Sequence, residues 1–141
     1  MTGSSELINT ATKVLESNSS CVSTITQVAA EAALVGPQDC VADMVGAYRR
    51  RRDLVVEILQ DAELHIATPN GAFYIMADVS PRGLRAREFS FALLRERGVS
   101  VAPGTAFGEV AREAVRISLA SSEADLSEGV GRLAKFVHGR T

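Results

Sequence analysis

The sequence predicts an α+β fold in which helices cover one face of a small sheet, with a long helix in the N-terminal half of the chain. Apolar residues recur with helical spacing across much of residues 4–60, and strict alternation replaces that spacing within residues 73–79 and 115–119. Helical spacing returns after each alternating stretch. The predicted order is therefore three helices, a strand, a helix, two strands and a helix.

Length and composition favour one globular domain over residues 1–141, in which residues 1–36 are a candidate interface or linking segment. A net charge of -2 provides no general field for nucleic acid or an anionic membrane, and no apolar run approaches the ~18 residues of a membrane span. Cys21 and Cys40 have no partner at metal-ligand spacing. We expect a cytoplasmic protein with no metal site, no nucleic-acid partner and no membrane partner.

The first two predicted helices are short. Helical spacing of apolar residues indicates a helix over residues 4–16, and an alanine-rich helix over residues 24–34 follows a polar loop. Serine and asparagine dominate that loop, and such side chains compete for the backbone hydrogen bonds of a helix. The second helix has a small-residue face suited to close packing against another surface.

The longest predicted helix covers residues 38–60 and follows Pro37, whose missing N–H is tolerated at a helix start. Its apolar stripe extends from Val41 to Leu59. Four arginines at positions 49–52 allow a nucleic-acid interpretation. A solvated helix face is favoured, because Asp53 and Glu57 offer partners at i,i+4 spacing and no aromatic residue interleaves with the arginines.

The second half of the chain supplies the predicted sheet. Turn residues at 68–71 precede a strand over residues 73–79, where Gly71 is expected to permit a backbone conformation or a close approach that other residues resist. Lone His65, before this turn, is interpreted as structural. Ala86, Phe89, Leu93 and Leu94 then define a helix ended by Gly98.

Two further strands and a last helix follow. The run 99–101 is predicted as a strand interrupted by Pro103 and Gly104, and residues 115–119 as the next strand. Ser122 and Asp125 resemble the capping box of a final helix. The apolar stripe of that helix consists of Leu126, Val130, Leu133, Ala134 and Val137.

Arg116 is the best candidate for chemistry in the chain. It lies between Val115 and Ile117 in the alternating segment, so those aliphatic residues should face the core while Arg116 faces the other side of the sheet. An arginine on an outer sheet face is also commonly a solvated side chain. The spacing alone leaves both interpretations open.

Five motifs give the chain a resemblance to a known family. They are GPQD at 36–39, RRD at 51–53, GAFY at 71–74, PGTAFG at 103–108 and VRIS at 115–118. In this order and near this spacing, they resemble the C-terminal part of a fold type I pyridoxal-phosphate aminotransferase, with the aspartate and aromatic aminotransferases as the nearest group. The polar SNSS loop at 17–20, followed by Gln27, resembles another part of the same region.

The resemblance implies a role for three residues. Arg116 matches the arginine that binds the substrate α-carboxylate, a task suited to a planar guanidinium because it donates two parallel hydrogen bonds. Gly71 matches a glycine at the substrate-facing bend, and Asn18 lies in a loop near the active site and the subunit boundary. The implied partners are an amino acid or 2-oxo acid substrate and a second subunit of a homodimer.

The resemblance covers nearly the whole chain but only the end of the family's enzyme. Family members bind pyridoxal 5'-phosphate through a lysine on a large domain, and this sequence has no matching lysine motif. Lys13 and Lys135, its only lysines, lie on the polar sides of their predicted helices. We therefore expect no cofactor bound to this chain alone, no catalytic or cofactor-binding residue in it, and a small domain expressed alone, truncated in its gene or cut from a longer parent.

Two hypotheses follow from the sequence. In the first, the chain is the C-terminal domain of an aminotransferase and contributes α-carboxylate binding through Arg116. In the second, it is a non-catalytic, stand-alone domain that acts by self-association or partner binding through the long helix and the small-residue face of residues 24–34.

Overall fold

The computed structural model describes residues 3–19, 21–64 and 67–139. In chain order they form helices α1 (Ser5–Asn18), α2 (Thr24–Val35) and α3 (Asp39–Asp61), strand β1 (Tyr74–Asp78), helix α4 (Ala86–Arg97), strands β2 (Ala102–Pro103) and β3 (Ala114–Ser118), and helix α5 (Glu123–Val137). This α+β order of elements is the one that the sequence predicts. The chain divides into two compact units, residues 1–40 and residues 41–141.

The first unit contains α1, α2 and the first residues of α3. Helix α1 begins after Ser4, whose hydroxyl accepts a hydrogen bond from the backbone N–H of Leu7. Neither α1 nor α2 contains a buried residue. On the small-residue face predicted for α2, the side chains of Ile25 and Val28 are 82% and 60% exposed, so this face is open.

The sheet of the second unit has the order β1-β3-β2, with both neighbouring pairs antiparallel. Ile75 pairs with Ile117, and both side chains are buried. At the alternate positions Met76 pairs with Arg116. The side chain of Met76 is exposed, and that of Arg116 is half-buried. The predicted period of two is therefore confirmed, and Arg116 lies on the face of the sheet opposite the core.

Helices α3, α4 and α5 supply the other half of the core, beneath the buried face of the sheet. The rings of Phe89 in α4 and Phe136 in α5 lie 5.2 Å apart, centroid to centroid, in an edge-to-face arrangement. The predicted apolar stripe of α5 is buried throughout. The core residues with the largest fully buried side chains are Phe89, Phe136, Leu59, Ile75, Leu93, Leu119, Leu133, Val55, Val79 and Val115.

The second strand differs from its predicted position. Residues 99–101 run beside the core without pairing, and the backbone pairs with β3 only at Ala102 and Pro103. Proline is tolerated there because β2 is an edge strand, where one missing N–H leaves the remaining ladder intact. The alternation of Val99 and Val101 thus reflects partial burial against the core rather than strand pairing.

Two apolar stripes are shorter than their sequence patterns. Val55 and Leu59 of α3 are buried, whereas Val41, Met44 and Val45 in its first half are exposed. In α4 the side chain of Leu94 is exposed, because adjacent residues point about 100° apart and its neighbour faces the core. Conversely, Phe136 is buried although the predicted stripe of α5 omitted it.

Ser122 caps α5 as the sequence predicts, but the Asp125 carboxylate accepts from the Ser122 hydroxyl and not from the backbone N–H that a capping box uses. The hydroxyl of Ser122 accepts a hydrogen bond from the backbone N–H of Asp125 at 3.1 Å and donates to the Asp125 carboxylate at 2.7 Å. His65 lies outside the described residues. Across the described ranges, no helix is long and apolar enough to cross a membrane, and no three metal-ligating side chains cluster.

Candidate functional site

Arg116 occupies the middle of β3, the central strand of the sheet, where both flanking strands fix its backbone. Met76 of β1 pairs with it on one side and Ala102 of β2 on the other. Its neighbours Val115 and Ile117 are buried, so the backbone direction at this position is set by the core. The side chain therefore emerges from a rigid position on the outer face of the sheet.

Aromatic rings flank the Arg116 guanidinium. Its central carbon lies 4.4 Å from the centroid of the Tyr74 ring and 4.4 Å from that of the Phe107 ring. Tyr74 belongs to β1, and Phe107 follows β2, so the rings come from the strands on opposite sides of β3. Both distances are within the ~6 Å range of cation–π attraction.

The Phe107 ring is carried by a tight backbone segment. Residues Gly104–Phe107 form a 3-10 turn, and Gly104 is buried. A methyl group added at Gly104 would lie 2.1 Å from the carbonyl oxygen of Ala111 and 2.4 Å from that of Ala114. Only glycine permits this close approach of the turn to the start of β3.

One hydrogen-bond donor of Arg116 is left without a partner. Among the described residues, its Nε is buried and has no acceptor within hydrogen-bond distance. No ion pair recorded for this part of the chain includes Arg116, although five ion pairs of other arginines are present. The side chain is thus a cation in contact with two rings, and none of the described carboxylates pairs with it.

Gly71 lies in the loop that precedes β1, at a pocket of about 330 Å³ against α3. The prediction that Gly71 permits an unusual backbone conformation or a close approach is wrong for the described residues. Its φ is not positive, and an added methyl group would meet nothing within 4 Å. The left-handed residue is instead Ala72, with φ of 62°. The pocket is lined by Val45, Tyr48, Arg49, Arg52, Pro69, Asn70, Gly71 and Ala72.

The arginine run of α3 holds this loop and the end of β3. Arg51 donates from Nη1 to the carbonyl of Leu119 at 3.3 Å, and Arg52 donates to the carbonyl of Pro69 at 3.4 Å. Arg50 pairs with Glu123 across the fold. The sequence predicts that Asp53 pairs with an arginine four positions away, but in the structure Asp53 pairs with its neighbour Arg52.

Asn18 is the remaining sequence-derived candidate. It is the last residue of α1, in the first unit, rather than part of the predicted loop, and its side chain is exposed. The two lysines judged unsuited to hold a cofactor, Lys13 in α1 and Lys135 in α5, are also exposed, as their helical phases predict. The site residues missed from the sequence are Tyr74 and Phe107, which stand in the quoted motifs but carry no pattern that links either ring to Arg116.

A family model described as aminotransferase class I and II matches residues 1–133. An aspartate aminotransferase of Rhizobium meliloti is 40% identical over 143 residues, covering 94% of this chain and 34% of that protein. A probable N-acetyl-LL-diaminopimelate aminotransferase of Bacillus subtilis is 38% identical, covering 89% of this chain and 32% of that protein. The chain therefore spans about a third of the length of these relatives.

Solved structures show the same likeness. An aromatic aminotransferase from Pyrococcus horikoshii superimposes with a TM-score of 0.84 at 36% identity, covering 90% of this chain and 34% of the other. An aspartate aminotransferase from Thermotoga maritima gives a TM-score of 0.82 at 33% identity, covering 96% of this chain and 34% of the other. The fold of this chain is thus that of part of these longer enzymes.

Proposed function

Since this chain belongs to the class I and II aminotransferases, which use pyridoxal phosphate, we propose that it serves amino-group transfer between an amino acid and a 2-oxo acid by binding the substrate's α-carboxylate. Arg116 is the residue that performs this binding. The observation that carries the proposal is its guanidinium, fixed between two rings with a buried Nε that has no acceptor among the described residues.

The physical basis is the match between guanidinium and carboxylate. Both groups are planar, and the arginine side chain donates two parallel hydrogen bonds to the two carboxylate oxygens. Amino acids and 2-oxo acids share this carboxylate, so one arginine serves both. Gly71 and Asn18 are proposed as further substrate-binding positions, Gly71 through the loop before β1 and Asn18 through the end of α1.

The residues of this chain do not fit covalent attachment of pyridoxal phosphate. Lys13 and Lys135 are exposed on helices, and a lysine that acts as a nucleophile near neutral pH needs desolvation or a neighbouring cation to lower its pKa. We therefore assign substrate binding, and no chemical step on the cofactor, to the chain itself.

The test of the proposal replaces Arg116 by lysine. Wild-type chain should bind pyruvate weakly, with a Kd of about 1 mM, because one guanidinium supplies most of the contact. Arg116→Lys keeps the charge but loses the bidentate pair, and should weaken binding about tenfold or more. Backbone-amide chemical shifts of β3, followed in a pyruvate titration, give both constants.

The matched control is Arg95→Lys, at an exposed position in the last turn of α4. It should leave pyruvate binding within twofold of wild type. Denaturant unfolding of both variants separates binding from folding, and Arg116→Lys should change the free energy of unfolding by less than about 1 kcal/mol. A loss of stability that parallels the loss of binding would assign Arg116 a structural role instead.

The second candidate function is self-association, favoured by exposed apolar residues in each unit. In the first unit neither α1 nor α2 buries a residue, and in the second unit the first half of α3 exposes Val41, Met44 and Val45. Exposed apolar surface commonly marks an interface. We infer a homodimer, and a cytoplasmic location agrees with the exposed free thiols of Cys21 and Cys40.

Light scattering across a wide concentration range tests the association. Wild-type chain should scatter as a dimer or larger species, and Ile25→Glu should shift it toward monomer because the charge interrupts the α2 face. Thr26→Glu, one position along the same helix, is the control for added charge and should have the smaller effect. A wild-type chain that stays monomeric throughout would refute the homodimer.

A further inference from the structure

Arg116 is the fifth of six groups, in successive ring or cation–π contact, that cross the outer part of the second unit. The Arg51 guanidinium carbon lies 5.5 Å from the Tyr48 ring centroid, and the rings of Tyr48 and Phe73 are 5.9 Å apart. The Phe73 and Tyr74 rings follow at 4.3 Å, and the Arg116 guanidinium then stands 4.4 Å from Tyr74. Phe107 ends the series, with its ring centroid 4.4 Å from the Arg116 guanidinium carbon.

This series, here called the aromatic ladder, is fixed at one end and open at the other. Arg51 donates a hydrogen bond to the carbonyl of Leu119, the residue that follows β3, so the far end is tied to the strand that carries Arg116. Phe107, at the near end, is 49% exposed. The Tyr74 ring is therefore backed by further side chains in contact with one another, whereas Phe107 meets solvent.

Rings that flank a guanidinium restrict how a ligand reaches it. Each ring lies over the guanidinium carbon at 4.4 Å and blocks approach along that direction, whereas all the N–H donors lie on the edge of the planar group. The Nε–H on this edge is buried and has no acceptor in the described part of the chain, so a ligand in the plane reaches first the donors beside it. A ligand must therefore bring its oxygens into the guanidinium plane.

Resting on the proposed function, we propose that Tyr74 and Phe107 are specificity-determining residues that select planar carboxylates over tetrahedral oxyanions at Arg116. A carboxylate places both oxygens in one plane and accepts two parallel bonds in it. A phosphate that accepts the same bonds directs its other oxygens above and below that plane, toward the rings. The rings also keep water from the faces of the cation, which strengthens the in-plane contact.

Charge alone makes the opposite prediction. Inorganic phosphate carries more negative charge at neutral pH than acetate, so a solvated arginine on an open surface would favour phosphate. A preference for acetate at Arg116 therefore reports the shape imposed by the rings. The two anions serve as the planar and the tetrahedral probe.

The experiment follows the Arg116 Nε–H resonance of the full chain, at constant ionic strength, in titrations with acetate and with inorganic phosphate. The resonance is assigned by its loss in Arg116→Lys. Wild type should bind acetate at least threefold more tightly than phosphate. Phe107→Leu should weaken acetate about three- to fivefold and bring the two constants within twofold of each other, because the guanidinium loses one of the two rings that orient it and one direction of approach opens.

Two matched variants control for side effects. Phe91→Leu removes an exposed ring that stands under another arginine, Arg87, and should leave both constants at Arg116 unchanged. Tyr74→Phe keeps the ring and loses only the hydroxyl, so it should keep the wild-type preference. Phe107→Leu carries the decision because its side chain is half-exposed and its replacement leaves the core intact.

Two results would overturn the inference: wild type that binds phosphate as tightly as acetate, or Phe107→Leu that keeps the wild-type ratio. Failure of the proposed function has a different signature, in which Arg116→Lys leaves pyruvate affinity unchanged as measured from the β3 amides. Loss of pyruvate binding in Arg116→Lys together with an unchanged ratio in Phe107→Leu would reject only the role of the rings.

Discussion

Replacing Phe89 by alanine is expected to lower the free energy of unfolding of the second unit by about 3–5 kcal/mol. Phe89 is fully buried and meets the Phe136 ring edge to face, so the change removes a large apolar surface and an aromatic pair. A domain of this kind has a total stability of only about 5–15 kcal/mol. Urea unfolding followed by circular dichroism measures the difference.

Phe91→Ala is the matched control, two residues further along the same helix. Its ring is 51% exposed and stands 5.9 Å from the Arg87 guanidinium carbon, a surface contact that contributes less than about 1 kcal/mol. Equal losses for the two phenylalanines would mean that α4 does not pack on the sheet through the face that carries Phe89.

Adding one methyl group at Gly104 should cost about 3 kcal/mol of unfolding free energy, because the new carbon would lie 2.1 Å and 2.4 Å from two backbone carbonyl oxygens. Those atoms belong to Ala111 and Ala114 and cannot turn aside as a side chain would. The turn Gly104–Phe107 must shift instead, which moves the Phe107 ring from Arg116. Gly104→Ala should therefore also weaken pyruvate binding.

The same chemical change at Gly129 should have the opposite sign. Gly129 lies inside α5, and an added methyl group would meet nothing within 4 Å. Glycine lowers the stability of a helix interior by roughly 0.5–1 kcal/mol relative to alanine, so Gly129→Ala should raise the midpoint of unfolding. A Gly104→Ala protein as stable as Gly129→Ala would disprove the close approach of the turn to β3.

The order of elements was predictable because each element carries its own periodic pattern. The alternation around Arg116 fixes which side chains face the core, and Ser122 with Asp125 marks the start of α5, since both signals are local. The position of β2 was not predictable from the sequence. Val99 and Val101 alternate with a polar residue as in a strand, but this alternation arises from partial burial against the core and not from strand pairing. Periodicity reports burial first and hydrogen bonding only indirectly.

The surroundings of Arg116 depend on contacts between distant residues, which no local pattern specifies. Arg50 and Glu123 are 73 positions apart in sequence, and Arg51 reaches the carbonyl of Leu119 over 68 positions. The arginine run was correctly interpreted as part of a helix, but its partners were not predictable from i,i+4 spacing. The rings that flank Arg116 come from β1 and from the turn after β2, and only the sheet order brings them together.

Gly71 illustrates the opposite limit. The sequence singles it out as a residue that permits unusual backbone geometry, yet its surroundings would accept a methyl group and the positive φ falls on Ala72. Folding of the described residues therefore does not explain a glycine here. Access of a ligand to the loop before β1 is the explanation that the proposed function supplies.

The most direct measurement of the central claim follows the Arg116 Nε–H resonance during titration with pyruvate and, separately, with methyl pyruvate. The ester keeps the 2-oxo group and the size of the ligand but lacks the carboxylate charge. We predict a saturable shift of this resonance with pyruvate and no comparable shift with the ester. A resonance that stays fixed while pyruvate saturates other signals, or that moves equally with the ester, would contradict carboxylate binding by Arg116.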